Sequence, residues 1–219
     1  MCLKAYGIMG GTFDPIHNGH LRMAEAALEQ LGLDEVLFIP DGDPPHKEEL
    51  ASASDRLEMV ELAIKGRDGF RTLDMEVMRA GQTYTVDTLE RLKADSPSDQ
   101  FTYIVGADTL VRIESWRNFP RVASLLAGIA FAPRADVSAA EAELQRQQLS
   151  GRYTLAITPL VMEEVNISST EVRRAVARGL SVEAMVPPSV IGFIRARGLY
   201  QDPMLAHLQK SLSKDRYRH

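Results

Sequence analysis

His17 and His20 close an uninterrupted run, Gly10-Gly11-Thr12-Phe13-Asp14-Pro15-Ile16-His17-Asn18-Gly19-His20, that joins a glycine-bearing turn to the mouth of a helix. Before it, residues 5–9 read as a short buried strand; after it, Leu21, Ala24, Leu28 and Leu31 recur at helical spacing until Gly32 stops them. At a strand-to-helix junction the unpaired N–H groups and the positive end of the dipole favour an anion, and glycines let its oxygens approach the backbone. Residues three apart in a first helical turn project from one face, so the two imidazoles point together. An imidazole, neutral or cationic, can donate an N–H to a phosphoryl oxygen as charge builds on it. The other histidines lie at 46, 207 and 219 and the one cysteine is Cys2, a set that predicts no metal held by side chains. Without the glycines beside it, the pair would read as an ordinary solvated helix start.

A second motif lies far downstream, Ile167-Ser168-Ser169-Thr170-Glu171-Val172-Arg173, ahead of a helical run ending near Gly179. Ser168 and Glu171 form a capping-box pattern, with Ile167 and Val172 placed as a hydrophobic staple. Alone, that pattern specifies only a well-capped helix.

The remaining signals sit in loops. Pro40-Asp41-Gly42-Asp43-Pro44-Pro45-His46-Lys47 is too rich in proline and glycine for regular structure, yet it can present Lys47 to a phosphate at reduced entropic cost. Tyr84-Thr85 and Ser115-Trp116-Arg117 follow, and between them Gly106 with Asp108 gives a second strand-to-helix junction, in Gly106-Ala107-Asp108, where a ligand crevice is expected. The single tryptophan is flanked by Glu114, Ser115 and Arg117, which predicts a partly exposed ring able to stack rather than a fully buried one.

The elements that must position these groups alternate strand and helix. Strands are predicted at 5–9, 36–40, 70–73, 101–105, 129–132 and 155–157. Helices are expected from a Ser54 cap to Gly66, from Thr85 to about residue 94, and after a Ser138–Glu141 capping box. This order predicts an α/β fold, a doubly wound and mainly parallel sheet with helices on both faces, its ligand beyond the carboxyl ends of strands where the order reverses. At 219 residues and 45% hydrophobic content the chain suits one domain over 1–200, with 201–219 as a C-terminal extension rich in Lys and Arg. No apolar run approaches the length of a bilayer span, and neither a secretory segment nor a disulfide framework is legible, which leads us to expect a cytoplasmic protein. A formal charge of −5 argues against a nucleic-acid surface, so anionic substrates must be held by local basic groups.

The two long motifs together resemble the nucleotidylyltransferase superfamily, whose glycine turn and H-x-G-H grip a nucleoside triphosphate and whose I-S-S-T-x-x-R segment closes over it. With the P-P-H-K loop, the Y-T helix start, the G-A-D segment, the following Trp and Arg134, the resemblance over about residues 7–200 narrows to bacterial nicotinate mononucleotide adenylyltransferases, with a Rossmann-like fold. It implies adenylyl transfer from ATP, with magnesium, to nicotinate mononucleotide, releasing pyrophosphate. By that resemblance His17, His20, Lys47 and Arg173 are catalytic. ATP would lie along Gly10, Gly11, Thr12, Phe13, His17 and His20. Gly106, Asp108, Arg134, Ile167, Ser168, Ser169, Thr170 and Arg173 would enclose it. The mononucleotide would meet Thr12, His46, Lys47, Thr85, Asp108, Trp116 and Arg117, the backbone N–H groups at Thr85 and after Trp116 facing the nicotinate carboxylate. Family chains commonly stop near Gly198-Leu199-Tyr200, so the tail is expected to be disordered or to pack against a neighbouring copy. A pantetheine-phosphate adenylyltransferase or another adenylyl- or cytidylyltransferase shares the first motif and is the alternative; a nucleotide-sensing module without catalysis is the other.

Overall fold

The computed structural model describes residues 3–42, 51–164 and 166–201. In chain order the elements are β1 (Ala5–Gly11), α1 (Asn18–Gln30), β2 (Glu35–Pro40), α2 (Ala53–Ile64), β3 (Phe70–Thr72), α3 (Thr85–Asp95), β4 (Gln100–Gly106), α4 (Ala107–Leu110), α5 (Phe119–Leu125), β5 (Gly128–Ala132), α6 (Ala139–Arg152), β6 (Ala156–Pro159), α7 (Ser169–Ala177) and α8 (Pro188–Arg197). The sheet has strand order β3-β2-β1-β4-β5-β6 and every pairing is parallel. The chain winds outward from β1 to β3, then returns to the centre and winds the other way, so the order reverses between β1 and β4. That is the doubly wound, Rossmann-like arrangement expected, and it places a crevice beyond the carboxyl ends of those two strands.

Alternation along the strands divides the core in two. Met9, Val36, Phe38, Ile104 and Ala130 face α1, α2, α7 and α8, whereas Ile8, Leu37, Ile39, Val105 and Phe131 face α3, α5 and α6. Both sheet faces are therefore covered, which is why the strands read as continuous apolar runs.

Several local expectations change. Gly10 and Gly11 lie on the end of β1, not in a turn. The chain reverses instead at Phe13, in the left-handed region at φ 49°, and across a cis Asp14–Pro15 peptide. The need for glycine at position 10 is steric: a Cβ there would collide with the Tyr103 hydroxyl. The cap of α2 is Ser52, accepting from the Asp55 N–H at 3.1 Å, rather than Ser54. Ser138 caps α6 through the Glu141 N–H at 3.2 Å, but among the described residues the return bond of the box is absent. The box on α7 is complete: Ser168 Oγ accepts from the Glu171 N–H at 3.2 Å and Glu171 Oε2 from the Ser168 N–H at 2.9 Å. Ile167 and Val172 join one core cluster, as the staple requires. Ser168→Ala should lower stability by about 1 kcal/mol, read as a shift of the urea midpoint; an unmoved midpoint would show that the cap contributes nothing.

Candidate active site

Two connected hollows occupy the crevice. One, about 490 Å³, runs from the histidines past Arg134 to Ile167, Ser168 and Ser169; the other, about 220 Å³, runs from Gly10 and His20 to Tyr103 and Trp116. His20, Asp108 and Arg134 line both, so they stand where the two halves meet.

The imidazoles of His17 and His20 stack, centroids 3.7 Å apart, as one helical turn dictates. His20 Nδ1 accepts the His17 backbone N–H at 3.2 Å. An accepting Nδ1 carries no proton, so in the neutral ring the hydrogen sits on Nε2 and is available to a ligand. The Phe13 ring meets His20 edge-on at 5.1 Å and fixes its plane; its own left-handed backbone turns it there. Burial, reinforced by the Arg134 charge, lowers the His17 pKa to about 3. Loss of hydration, then His17 and Arg134, likewise holds His20 well below the usual imidazole range. Both rings are therefore neutral at ordinary pH, the choice that spacing left open.

Around them, charges are close and balanced. Arg134 Nε lies 3.6 Å from Asp108 Oδ1, and its Nη1 donates to the Ile167 carbonyl at 3.4 Å, tying the second motif to the crevice. A Cβ on Gly106 would strike the Asp108 carboxylate and crowd Arg134, so glycine there permits their approach. Ser169 Oγ donates to the Pro15 carbonyl at 3.0 Å and Arg173 Nη1 to the Asp14 carbonyl at 2.7 Å, and Arg173 Nη2 bonds the Thr170 hydroxyl at 3.3 Å. Thr12 Oγ1 donates to Asp41 at 3.0 Å. The helix start of α7 is thus latched onto the loop after β1.

At the other end, Trp116 is half-buried, as its polar neighbours predict, and meets Tyr103 edge-on at 5.0 Å. The Tyr103 hydroxyl is hydrogen-bonded to the Thr85 side chain and the Gly10 backbone, and burial next to Glu76 and Asp41 raises its pKa, so it keeps its proton. The Arg117 guanidinium lies 4.3 Å from the centre of the Tyr84 ring, drawing the segment after Trp116 onto the start of α3. There the first N–H groups of α3 lack helical acceptors by construction.

Of the residues singled out by sequence, the crevice gathers His17, His20, Gly10, Gly106, Asp108, Trp116, Arg134, Ile167, Ser168 and Ser169 along its walls. Thr12, Phe13, Thr85, Arg117, Thr170 and Arg173 are tied to its surroundings through the contacts above, and Gly11 follows Gly10 at the end of β1. His46 and Lys47 lie outside the described residues, as does most of the proposed C-terminal extension. Tyr103 and Arg56 were not anticipated, and Tyr84 and Asp14 stood inside the quoted motifs without an assigned part. Arg56 had a signal: with Met59, Val60 and Ala63 it falls on the buried helical face, and it is 1% exposed. Its guanidinium donates to the carbonyls of Thr12, Gly42 and Ala51 at 2.8, 2.7 and 3.1 Å. Among the described residues no cluster of three His, Cys, Asp or Glu could hold a metal, and no helix is long and apolar enough to cross a membrane. A separate hollow of about 480 Å³ between β3 and α3 is edged by Arg71, Arg79 and Arg91, each facing a carboxylate: Glu35, Asp87 and Asp95.

A cytidylyltransferase-like family model matches residues 8–175. A probable nicotinate-nucleotide adenylyltransferase of Synechococcus sp. (strain JA-3-3Ab) is 41% identical over 202 residues, 91% of this chain and 96% of that one. One from Neisseria meningitidis serogroup B is 38% identical over 206 residues, covering 91% and 100%. Among solved structures, the nicotinic acid mononucleotide adenylyltransferase of Plasmodium falciparum complexed with NaAD superposes with a TM-score of 0.75 at 19% identity, over 90% of this chain and 97% of that one, a likeness of fold. With a family model spanning most of its length and relatives this similar across nearly all of theirs, the chain belongs to the cytidylyltransferase-like family and, within it, to the nicotinate-nucleotide adenylyltransferases.

Proposed function

We propose that the chain transfers the adenylyl group of ATP to nicotinate mononucleotide, forming deamido-NAD and pyrophosphate, in the cytoplasm. The observation that carries this reading is the single crevice at the β1/β4 reversal, with neutral stacked histidines in its middle, the Ser168–Arg173 arm at one end and the Trp116–Thr85 wall at the other. A phosphate oxygen of the mononucleotide attacks the α-phosphorus, the bond to the bridging oxygen breaks, and that oxygen leaves on pyrophosphate. A phosphate dianion needs no base to attack, so the site must align the two substrates and accept charge. In this reading the His20 Nε2–H donates to an α-phosphoryl oxygen while His17 stacks behind it. Arg134, Arg173, Ser169 and Thr170 hold the triphosphate, joined by the backbone at Gly10, Gly11 and Phe13. Magnesium arrives with ATP as part of the substrate. Asp108 takes a ribose. Thr12, His46 and Lys47 are assigned to the mononucleotide phosphate on the family resemblance. Trp116 stacks on the pyridine ring.

The pyridine end discriminates acid from amide. A carboxylate accepts at both oxygens, whereas main-chain N–H groups at the start of α3 and after Trp116 offer donors only, with a helix dipole favouring negative charge. The amide NH₂ would meet those donors unpaired, at a cost on the order of 1 to 3 kcal/mol. We expect kcat/KM to favour nicotinate over nicotinamide mononucleotide by roughly tenfold or more, measured as pyrophosphate release under identical MgATP. Equal values would sink the assignment, and release with pantetheine phosphate in their place would substitute the alternative. Trp116→Ala should weaken both mononucleotides together.

A further inference from the structure

Asp14 is a buried carboxylate, 1% exposed, to which no step above gives a part. Its Oδ1 accepts the Tyr200 hydroxyl at 2.6 Å and the Ala51 N–H at 3.2 Å. Its main-chain carbonyl takes Arg173 Nη1 at 2.7 Å, and its Oδ2 stands 3.6 Å from that same nitrogen. Among the described residues Oδ2 has no hydrogen bond and faces the arginine's charge. One residue thus grips the guanidinium by both backbone and side chain, leaving the rest of the planar fork to be aimed elsewhere. The carboxylate itself is fixed by its other oxygen, and the strong donor there is a phenol from the opposite end of the chain.

Tyr200 is held with some insistence. It sits two residues past the left-handed Gly198 cap of α8 and adopts φ 61° itself, a conformation that a tyrosine keeps only where its surroundings over-determine it. Its ring packs against the core cluster beneath α1 and α2. Burial, and then the neighbouring Asp14 carboxylate, raise its pKa, so the phenol remains a donor. Of the three non-glycine residues with positive φ among the described residues, Phe13 orients His20 and Asn118 follows the Trp116–Arg117 pair; Tyr200 is the third.

We infer that Tyr200 is a positioning residue for adenylyl transfer: by fixing Oδ1 of Asp14 it turns Oδ2 and the carbonyl toward Arg173 and so sets the angle at which that arginine meets the triphosphate. This rests on the reading that Arg173 faces ATP. The test is a double-mutant cycle on the full chain, Tyr200→Phe against Arg173→Ala, read by equilibrium titration with MgATP without any mononucleotide, so that it does not depend on which acceptor is used. Tyr200→Phe keeps the ring and loses only the hydroxyl. It should weaken ATP binding about tenfold, leave the KM for the mononucleotide unchanged, and add nothing once Arg173 is alanine. Asp14→Asn, which retains an oxygen for Tyr200 and removes the charge facing Arg173, should reproduce the loss. An unchanged ATP titration in Tyr200→Phe, or losses that simply add in the double variant, would overturn the inference. If Arg173→Ala alone leaves ATP binding intact, the placement of the arginine on the triphosphate fails first and the inference with it.

Discussion

Replacing His20 by alanine should lower kcat about a hundredfold while the KM for ATP changes little. The ring is preorganised from three sides: His17 stacks on it at 3.7 Å, Phe13 meets its edge at 5.1 Å, and the His17 N–H fills Nδ1 at 3.2 Å. Only Nε2–H is left to act, and it acts most strongly when charge has built up on the phosphoryl oxygen. Losing one such donor costs about 3 kcal/mol of barrier, which is the hundredfold stated. Binding of ATP in the ground state draws instead on the arginines and backbone, which the substitution leaves in place. A folded His20→Ala protein with near-normal turnover would remove His20 from the chemistry. A proportionate rise in KM with kcat unchanged would make it a ground-state ligand instead.

Acid should destabilise the protein through the same pair, well above the pH at which carboxylates titrate. His17 has a folded pKa of about 3 against an unfolded value near 6.5, so on acidification the unfolded chain binds a proton that the native state refuses. A depressed histidine pKa therefore gives stability that is full above about 6.5 and is lost as pH falls toward 3. Between pH 7 and 5 His17 alone accounts for a loss of about 2 kcal/mol, and His20 adds to it in the same direction. Glu76 opposes them: burial raises its carboxyl pKa, so just above its unfolded value the native state holds a proton that the unfolded chain has released. The difference between wild type and His17→Asn isolates the histidine. Urea midpoints at pH 7, 6 and 5 should fall more steeply for wild type, and parallel slopes would refute the linkage.

The fold was legible because its strands are buried on both faces and read as apolar runs, and because capping residues announce the helices. Two helices escaped. The start of α8 is a Pro187-Pro188 pair, which reads as a breaker unless Pro is recognised at a first helical position ahead of Val190, Ile191 and Ile194. The seven-residue α5 is too short for periodicity to register, and its N-cap Asn118 is left-handed without a side-chain cap bond. The histidine pair, the Ser168–Glu171 box and the half-buried Trp116 were legible from spacing and flanking residues alone. Gly10 was legible as important, but its place on the strand rather than in a turn was not, nor was its second demand for glycine: that demand comes from Tyr103, on a strand 93 residues away in sequence, and no local pattern encodes that approach. The parts of Asp14, Tyr103 and Tyr200 were invisible for the same cause, since each acquires its role from a partner brought near only by the fold. The neutrality of the histidines likewise follows from how deeply the crevice encloses them, which spacing does not reveal.

The contact between Asp14 and Tyr200 spans 186 residues, and that span also has a meaning in time. A ribosome adding about 5 to 20 residues per second delivers the glycines and both histidines at the outset, and then takes about ten to forty seconds to produce the tyrosine. For most of that interval Asp14, a carboxylate destined to be 1% exposed, has neither Arg173 nor Tyr200 beside it, since the arginine follows it by 159 residues and the tyrosine by 186. Desolvating it early would be strongly unfavourable. The loop after β1 therefore has reason to stay hydrated until α7 and the chain end arrive, and the nucleotide cradle, first to be made, is among the last parts to set.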